Sequence, residues 1–384
     1  MAGAAFGYLP LWTALFSFPL MTAVQLMCAR LGVVTGLGLA GVIRRRYSRG
    51  VLWSACALLI IANVINIAAD LGGMAEATRM VTGVPVALAV PGFGLVIVAL
   101  LMWSSYRTIA RVFKWLTLVL LAYVLTAFVA HADWRLALRA TVIPHIEWSR
   151  AFFSVLVAIL GTTISPYLFF WQAAQEVEEE RALGRNLAQR RGATRKELAA
   201  CRTDVTTGMF ASNAIMYFII MTTATTLHAH GITDIGTAKQ AAEALRPVAG
   251  KGAYLLFTLG LIGTGVLAVP VLAGSCAYAV AEAKGWAASL EETPRVAGKF
   301  YAVLAVAVLV GTGLEYVGLD AVKMLFWSAV INGVLAPPLV FLVVLLTCNP
   351  KVMGDHVNSR VLKWLGWTTG VVMSAAAVGM FAAG

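Results

Sequence analysis

The stretch that decides the fold spans residues 160–172 and reads LGTTISPYLFFWQ. It lies within an apolar run from about residue 151 to residue 174, which is long enough to cross a bilayer. Pro166 falls near the centre of this run. Proline lacks a backbone N–H and clashes with the carbonyl four residues earlier, so a helix kinks or unwinds around it. The pattern predicts a broken membrane-spanning helix.

Four hydroxyl side chains lie at the expected break: Thr162, Thr163, Ser165 and Tyr167. Bare backbone carbonyls are tolerated at membrane depth only where they face protein or a water-filled cavity. Carbonyls and hydroxyls together are typical ligands for a hard cation. An equally weighted alternative is a simple proline kink, in which the Ser and Thr hydroxyls bond back to their own helix. The stretch alone leaves both interpretations open.

The composition is that of a membrane protein. The chain has 384 residues, of which 60% are hydrophobic and 12% are charged, and its mean hydropathy is +0.84. An ordinary soluble domain has about 45–50% hydrophobic and about 25% charged residues. The formal charge is +11, but the basic residues fall between apolar runs rather than in one patch. This distribution argues against a nucleic-acid partner and for contact with the lipid bilayer.

The sequence lacks the common motifs of enzymes. It contains no G-x-S-x-G, no H-E-x-x-H and no G-x-x-x-x-G-K. Its five cysteines are scattered, with no C-x-x-C pair, and we interpret them as small apolar residues in packed helices. We therefore expect neither an enzyme nor a bound cofactor.

Ten apolar runs are long enough to span a membrane, at residues 7–30, 51–71, 84–104, 114–132, 151–174, 204–228, 253–282, 299–318, 321–347 and 362–382. The sequence thus predicts an all-α polytopic protein whose residues 1–384 form a single membrane domain.

Basic residues divide the connections between these runs into two sets. Alternate connections, at residues 44–49, 107–114, 181–202, 284–299 and 351–363, hold 20 of the 29 Lys and Arg residues, and the opposite connections hold 7. We call the side with the larger number the basic side. By the positive-inside rule it faces the cytoplasm.

Several polar side chains lie at membrane depth, where they usually face a partner or a cavity. Asn63, Asn66 and Asp70 follow helical spacing and share one face. Asp70 has two interpretations: a proton or cation relay, or a buried carboxylate paired with a basic residue of a neighbouring helix. Asn332 likewise supplies either an amide oxygen to a cation or a packing hydrogen bond.

Two further expectations concern the basic side. Gln25 and Arg30, near the end of the first run, are candidate interhelical hydrogen-bond partners. The acidic residues 175–180 run directly into a basic block, which is typical of a solvated interfacial helix.

Residues 161–167 (GTTISPY) resemble the broken sixth helix of the natural-resistance-associated macrophage protein (Nramp) family of divalent metal transporters. Residues 2–36 resemble the end of the family's first helix and all of its second helix, and residues 213–230 and 262–283 resemble its seventh and eighth helices. The resemblance implies the LeuT-like fold of sodium-coupled amino-acid symporters, with two inverted five-helix repeats. It also implies that the ten runs are the family's helices two to eleven.

Three departures from the family pattern affect the expected chemistry. The family places a methionine before the proline of the sixth helix and a histidine after it, where this chain has Ser165 and Tyr167. A thioether favours soft transition metals. A hydroxyl in its place weakens that preference and shifts the selectivity toward oxygen-loving ions such as Mg²⁺ or Mn²⁺. The acidic pair of the family's third helix appears as Asn63 and Asp70, which puts proton coupling in question. These two changes resemble the Nramp-related magnesium transporter branch.

The third departure concerns the family's broken first helix. Its Asp-Pro-Gly-Asn-type ligands would lie just before Met1. We expect a start codon assigned too late, with a fragment and a decayed transporter as the alternatives.

The sequence thus predicts a secondary transporter that imports a divalent cation (Mn²⁺, Fe²⁺ or Mg²⁺) across the inner membrane by alternating access. The predicted metal ligands are Thr162, Ser165, Tyr167 and Asn332. Asn63 and Asp70 are the predicted proton or ion pathway. We expect a monomer, with the metal as substrate. The alternatives are an organic-solute or amino-acid symporter of the same fold and a remnant that does not transport.

Overall fold

The computed structural model describes residues 1–103, 115–186, 189, 191–316 and 320–383. Within these ranges the regular secondary structure is entirely helical. The α-helices are α1 (Ala2–Phe6), α2 (Trp12–Thr35), α3 (Leu39–Arg46), α4 (Arg49–Thr82), α5 (Val86–Trp103), α6 (Leu121–Val129), α7 (Trp134–Val142), α8 (Arg150–Thr163), α9 (Pro166–Ala182), α10 (Arg195–Thr226), α11 (Ala238–Glu243), α12 (Arg246–Ala249), α13 (Ala253–Lys284), α14 (Gly298–Glu315), α15 (Ala321–Thr347), α16 (Pro350–Met353) and α17 (Arg360–Ala382).

The predicted number of membrane spans is confirmed. Among the described residues, nine helices are long and apolar enough to cross a membrane, and there are ten if one bent pair counts as a span. The most buried span is the one that contains the break, Arg150–Ala182. In its most apolar window 83% of the residues are buried, against 61% or fewer in every other described span. The broken helix therefore lies at the centre of the bundle.

The run predicted at residues 114–132 is not one straight span. Its described part continues as Leu118–Val129, which meets Trp134–Val142 at an angle of 116°. Leu118–Val129 would rise about 18 Å, less than the roughly 30 Å of a bilayer core. His131 adopts a left-handed conformation (φ 53°), and Asp133 Oδ1 accepts a hydrogen bond from Leu136 N at 2.9 Å. These two local features end one helix and start the next.

Two glycines allow α8 and α15 to cross backbone to backbone. A Cβ added to Gly161 would collide with the carbonyl oxygen of Ala329, and one added to Gly333 would collide with the carbonyl oxygen of Val157. Glycine is required at both positions because any side chain would separate the helices. The crossing places Asn332 beside the broken helix.

Helix α4 packs against α13, α14 and α15. Its polar residues therefore face the interior of the bundle. The cysteines behave as expected, since four are buried in packed helices and Cys348 is half-buried.

The expectation of a solvated acidic helix at residues 175–180 is wrong. Helix α9 continues to Ala182, and Glu178 is only 6% exposed. Ser289 Oγ donates to Glu178 Oε2 at 2.7 Å, Tyr278 Oη donates to Oε1 at 3.3 Å, and Arg181 lies 3.1 Å from the same oxygen. The sequence could not indicate this burial because Tyr278 and Ser289 lie about a hundred positions away from Glu178.

Glu180 is also 6% exposed, and it belongs to a second ion pair on the basic side. Arg185 Nη1 lies 2.6 Å from Glu180 Oε2, and Arg185 Nη2 lies 2.6 Å from Glu197 Oε1. Hydrogen bonds to Glu197 and Glu180 raise the pKa of the Arg185 guanidinium above its usual value. The bridge links the end of α9 to the start of α10.

Both predicted interhelical partners on the basic side are confirmed. Gln25 Nε2 donates to Gln172 Oε1 at 2.7 Å, which joins α2 to α9. Arg30 Nη2 donates to the His356 carbonyl at 2.8 Å, and its Nη1 donates to Asn358 Oδ1 at 3.2 Å. These bonds tie α2 to two distant parts of the chain.

Candidate metal site at the broken helix

The helix breaks where the sequence predicts. Helix α8 ends at Thr163, Ile164 has φ −121° and ψ 63°, and Ser165 is extended with φ −86° and ψ 142°. Helix α9 then begins at Pro166, where a missing N–H breaks no helical hydrogen bond. The two halves still count as one span of 33 residues. The chain is therefore non-helical at two residues, Ile164 and Ser165, within the most buried of the described spans.

The hydroxyls at the break donate to carbonyls of their own helix. Thr162 Oγ1 donates to Ala158 O at 2.6 Å, and Thr163 Oγ1 donates to Ile159 O at 2.9 Å. Ser165 Oγ donates to Gly161 O. The hydroxyls thus bond back to their own helix, as the proline-kink interpretation predicts, and the helix is also unwound beside them. A hydroxyl that donates its proton keeps lone pairs that can accept or ligate.

The predicted ligands at the break face two different environments. Thr162 is exposed and lines, with Thr163, a cavity of about 530 Å³ bounded by α10 and α15. Ser212 and Thr223 add hydroxyls to this cavity. Ser165 is 1% exposed and does not line it. Thr162 is thus separated from the other predicted ligands.

Tyr167 packs against both of the two largest apolar clusters that the described residues form. Its backbone carbonyl accepts a hydrogen bond from Ser275 Oγ at 3.2 Å. The backbone of Tyr167 is thus fastened to α13, and its ring packs among apolar side chains.

Asn332 pairs with an amide of α4. Its Nδ2 donates to Asn66 Oδ1 at 3.2 Å, and Asn66 Nδ2 donates to Asn332 Oδ1 at 3.0 Å. Asn332 is 2% exposed, so this pair lies deep in the bundle. Asn66 was not among the predicted site residues, although its spacing from Asn63 and Asp70 was the signal that could have found it.

The two predicted pathway residues differ in their partners. Asn63 is fully buried, and its Nδ2 donates to Leu272 O of α13 at 2.8 Å. Asp70 is half-buried. In the part of the chain that the structure describes, the Asp70 carboxylate makes no ion pair and no hydrogen bond. The pairing of Asp70 with a basic side chain, one of the two interpretations of its role, is thus not observed there.

The side chains that the sequence predicted for the site, together with Asn66, offer oxygen atoms as potential ligands. They are the carboxylate of Asp70, the amides of Asn63, Asn66 and Asn332, and the hydroxyls of Thr162, Ser165 and Tyr167. Among the described residues, no group of three or more His, Cys, Asp or Glu side chains is arranged to hold a metal. Oxygen donors with a single charge suit a hard, partly hydrated divalent cation better than a soft one.

Comparison with known proteins identifies the family. Residues 1–383 match the family described as natural resistance-associated macrophage protein-like. The chain belongs to the Nramp family. It is 28% identical over 378 residues to the divalent metal cation transporter MntH of two Klebsiella pneumoniae strains, covering 95% of this chain and 84% of each relative.

Solved structures confirm the predicted fold. This Nramp-family chain is similar to the Eremococcus coleocola manganese transporter in complex with an aromatic bis-isothiourea compound. The TM-score is 0.73 and the identity 19%, over 98% of this chain and 80% of the other. The inward-facing conformation of Mhp1, a LeuT-fold transporter, matches with a TM-score of 0.52 and 14% identity, over 96% of this chain and 83% of that one. The predicted all-α, LeuT-like membrane bundle is therefore correct.

Proposed function

We propose that this Nramp-family protein is a secondary transporter that imports a divalent metal cation across the inner membrane by alternating access. The relatives and structural neighbours are named as divalent metal, and in one case manganese, transporters. The observation that carries the proposal is the unwound helix at residues 164–165, set against the amides and the unpaired carboxylate of α4. The metal is the substrate, and no resident cofactor is needed.

Mn²⁺ and Mg²⁺ are the cations that the site favours, ahead of Fe²⁺. Ser165 occupies the position before the proline, and the donors around it are oxygen atoms. Hard cations keep several waters and accept hydroxyl, amide and carbonyl ligands. We assign Ser165, Tyr167, Asn332 and the carbonyls at the break to the inner part of the site, and Thr162 to the cavity bounded by α10 and α15.

Asp70 and Asn63 define the proposed ion pathway along α4. An unpaired carboxylate at membrane depth can exchange a proton or attract a cation as it passes. Asn63 lies on the same face of α4 as Asp70 and is polar but uncharged. We also propose that one chain forms the transporter.

The test of this proposal is metal uptake into proteoliposomes. We expect uptake of Mn²⁺ and Mg²⁺ by the unaltered protein. Ser165→Met places a thioether before the proline and should raise Mn²⁺ or Cd²⁺ uptake relative to Mg²⁺. Because Ser165 is 1% exposed, Ser165→Cys is the sharper variant, since it supplies sulfur in nearly the same volume. It should raise the Cd²⁺ to Mg²⁺ uptake ratio by about tenfold.

Ser165→Ala is the matched control, because it removes the hydroxyl without adding a soft ligand. It should lower uptake of all three ions without raising the Cd²⁺ ratio. An unchanged selectivity in both Ser165→Cys and Ser165→Met would remove Ser165 from the site. If amino acids inhibit uptake and divalent metals do not, the proposed substrate class is wrong.

A further inference from the structure

A second cavity, of about 500 Å³, opens on the basic side, away from the broken helix. Its walls come from four separate segments: the end of α2, helix α3, the loop before α10, and α16 with the turn that follows it. Val34 and Met353, which are 6% and 1% exposed, form an apolar floor. The cavity shares none of its lining residues with the site described above.

Four cations converge on this cavity from three of these segments: Arg45, Arg46, Arg191 and Lys351. Asp355 is the one carboxylate among the lining residues. None of the four cations forms an ion pair within the described ranges, and the residues outside those ranges include no Asp or Glu. The cavity therefore carries an uncompensated positive charge.

The walls of the cavity are held in place by hydrogen bonds. Gly192 N donates to Val34 O at 2.9 Å, which fixes the loop before α10 against α2. Arg30 Nη2 donates to His356 O at 2.8 Å, which fixes the turn after α16 to the same helix. A concave, positively charged surface with fixed walls concentrates the electrostatic field and so attracts anions.

Two other basic side chains on the same side are paired. Arg181 and Arg185 lie against the carboxylates of Glu178, Glu180 and Glu197. The positive-inside rule requires basic residues on this side of the membrane, but it does not require four of them to line one concave cavity. The four cations are thus set apart by the cavity that they share, which they line from three separate segments.

We propose that this cavity binds a phosphate-bearing anion. The planar guanidinium groups of Arg45, Arg46 and Arg191 can each donate two parallel hydrogen bonds to phosphate oxygens, and Lys351 adds a point charge. The phosphate can come from the headgroup of an acidic phospholipid in the adjoining leaflet or from a soluble phosphorylated molecule. The site is independent of metal transport.

The experiment uses the full chain, purified in a neutral detergent, and has one arm for each source. Native mass spectrometry measures binding of phosphatidylglycerol, with phosphatidylcholine as the zwitterionic lipid. Calorimetric titration with inorganic phosphate and with glycerol 3-phosphate measures the soluble arm. We expect phosphatidylglycerol or the soluble phosphates to bind, and the affinity to fall as salt is raised.

The test variant is Arg46→Gln/Lys351→Gln, which removes two cations that come from different segments, α3 and α16. It should weaken binding of the responding probe by about 30-fold. The matched control is Arg49→Gln/Arg360→Gln, which removes the same charge from the same side at residues that do not line the cavity. Each variant is first compared with the unaltered protein by thermal unfolding without ligand, and Arg45→Gln replaces the double variant if the latter unfolds early.

Two outcomes support the proposal and identify the source. Loss of phosphatidylglycerol binding in the cavity variant alone assigns a lipid headgroup, and loss of soluble phosphate binding in that variant alone assigns a soluble ligand. Two outcomes overturn it. One is that neither anion binds more tightly than phosphatidylcholine, and the other is that the cavity and control variants weaken binding equally.

Discussion

On the basic side, Glu178 and Glu180 are each 6% exposed and are bonded to Ser289, Arg181 and Arg185. At the centre of the bundle, Asp70 is half-buried and has no such partner in the described ranges. Both regions carry carboxylates that are at least partly buried. The paired carboxylates fasten α9 to its neighbours, whereas an unpaired charge at membrane depth costs stability and is kept for function.

The largest effect that follows from this comparison concerns Asp70. Asp70→Asn keeps the shape of the side chain and removes the charge. We expect metal uptake into proteoliposomes to fall by roughly 10–100-fold, because the charged group of the pathway is lost. The thermal unfolding midpoint should stay the same or rise, since no bond to Asp70 is broken. Normal uptake by this variant would contradict the comparison, because the unpaired Asp70 would then have no role in transport.

A smaller effect is expected at Glu178. Glu178→Ala leaves Ser289, Tyr278 and Arg181 without their shared acceptor, so the free energy of unfolding should fall by about 1–3 kcal/mol. Glu178→Gln keeps one acceptor oxygen and should lose less. Uptake per folded molecule should be unchanged in both. Thermal unfolding and uptake of the same preparations provide the check, and a variant that is stable but inactive would move Glu178 into the transport pathway.

The smallest effect is expected at Arg185, whose side chain is 33% exposed. Arg185→Gln should lower the free energy of unfolding by less than Glu178→Ala does, because solvent and salt screen ion pairs that water can reach. Raising the salt concentration should shrink the difference from the unaltered protein. If the free energy of unfolding falls as much as in Glu178→Ala, the ion pairs of Arg185 with Glu180 and Glu197 are shielded from water.

Local chemistry explains which parts of the fold could be predicted. Pro166 and its apolar surroundings specify a break in the middle of a span, and the structure has it at residues 164–165. Periodicity placed Asn63, Asn66 and Asp70 on one face of a helix, and all three lie in α4. The bend at His131 was not predictable in the same way, because a left-handed histidine has no strong sequence signal.

Contacts between distant residues explain the rest. The amides of Asn66 and Asn332 are 266 positions apart, and the sequence showed two isolated polar residues rather than a pair. Glu178 lies in an acidic run that resembles a solvated surface, and only the folded chain brings Ser289 and Tyr278 around it. Burial and pairing of charges depend on tertiary contacts, whereas breaks and spans depend on neighbours in the chain.

The most direct test of the central claim is an anomalous-scattering map from crystals of the full chain soaked in Mn²⁺. The account predicts a manganese peak on the interior side of the break, within coordination distance of Ser165 or Asn332 and facing Asp70. The peak should disappear in Asp70→Asn crystals soaked in the same way. A peak found only at other residues, or one that is indifferent to Asp70, would contradict the assignment of this site.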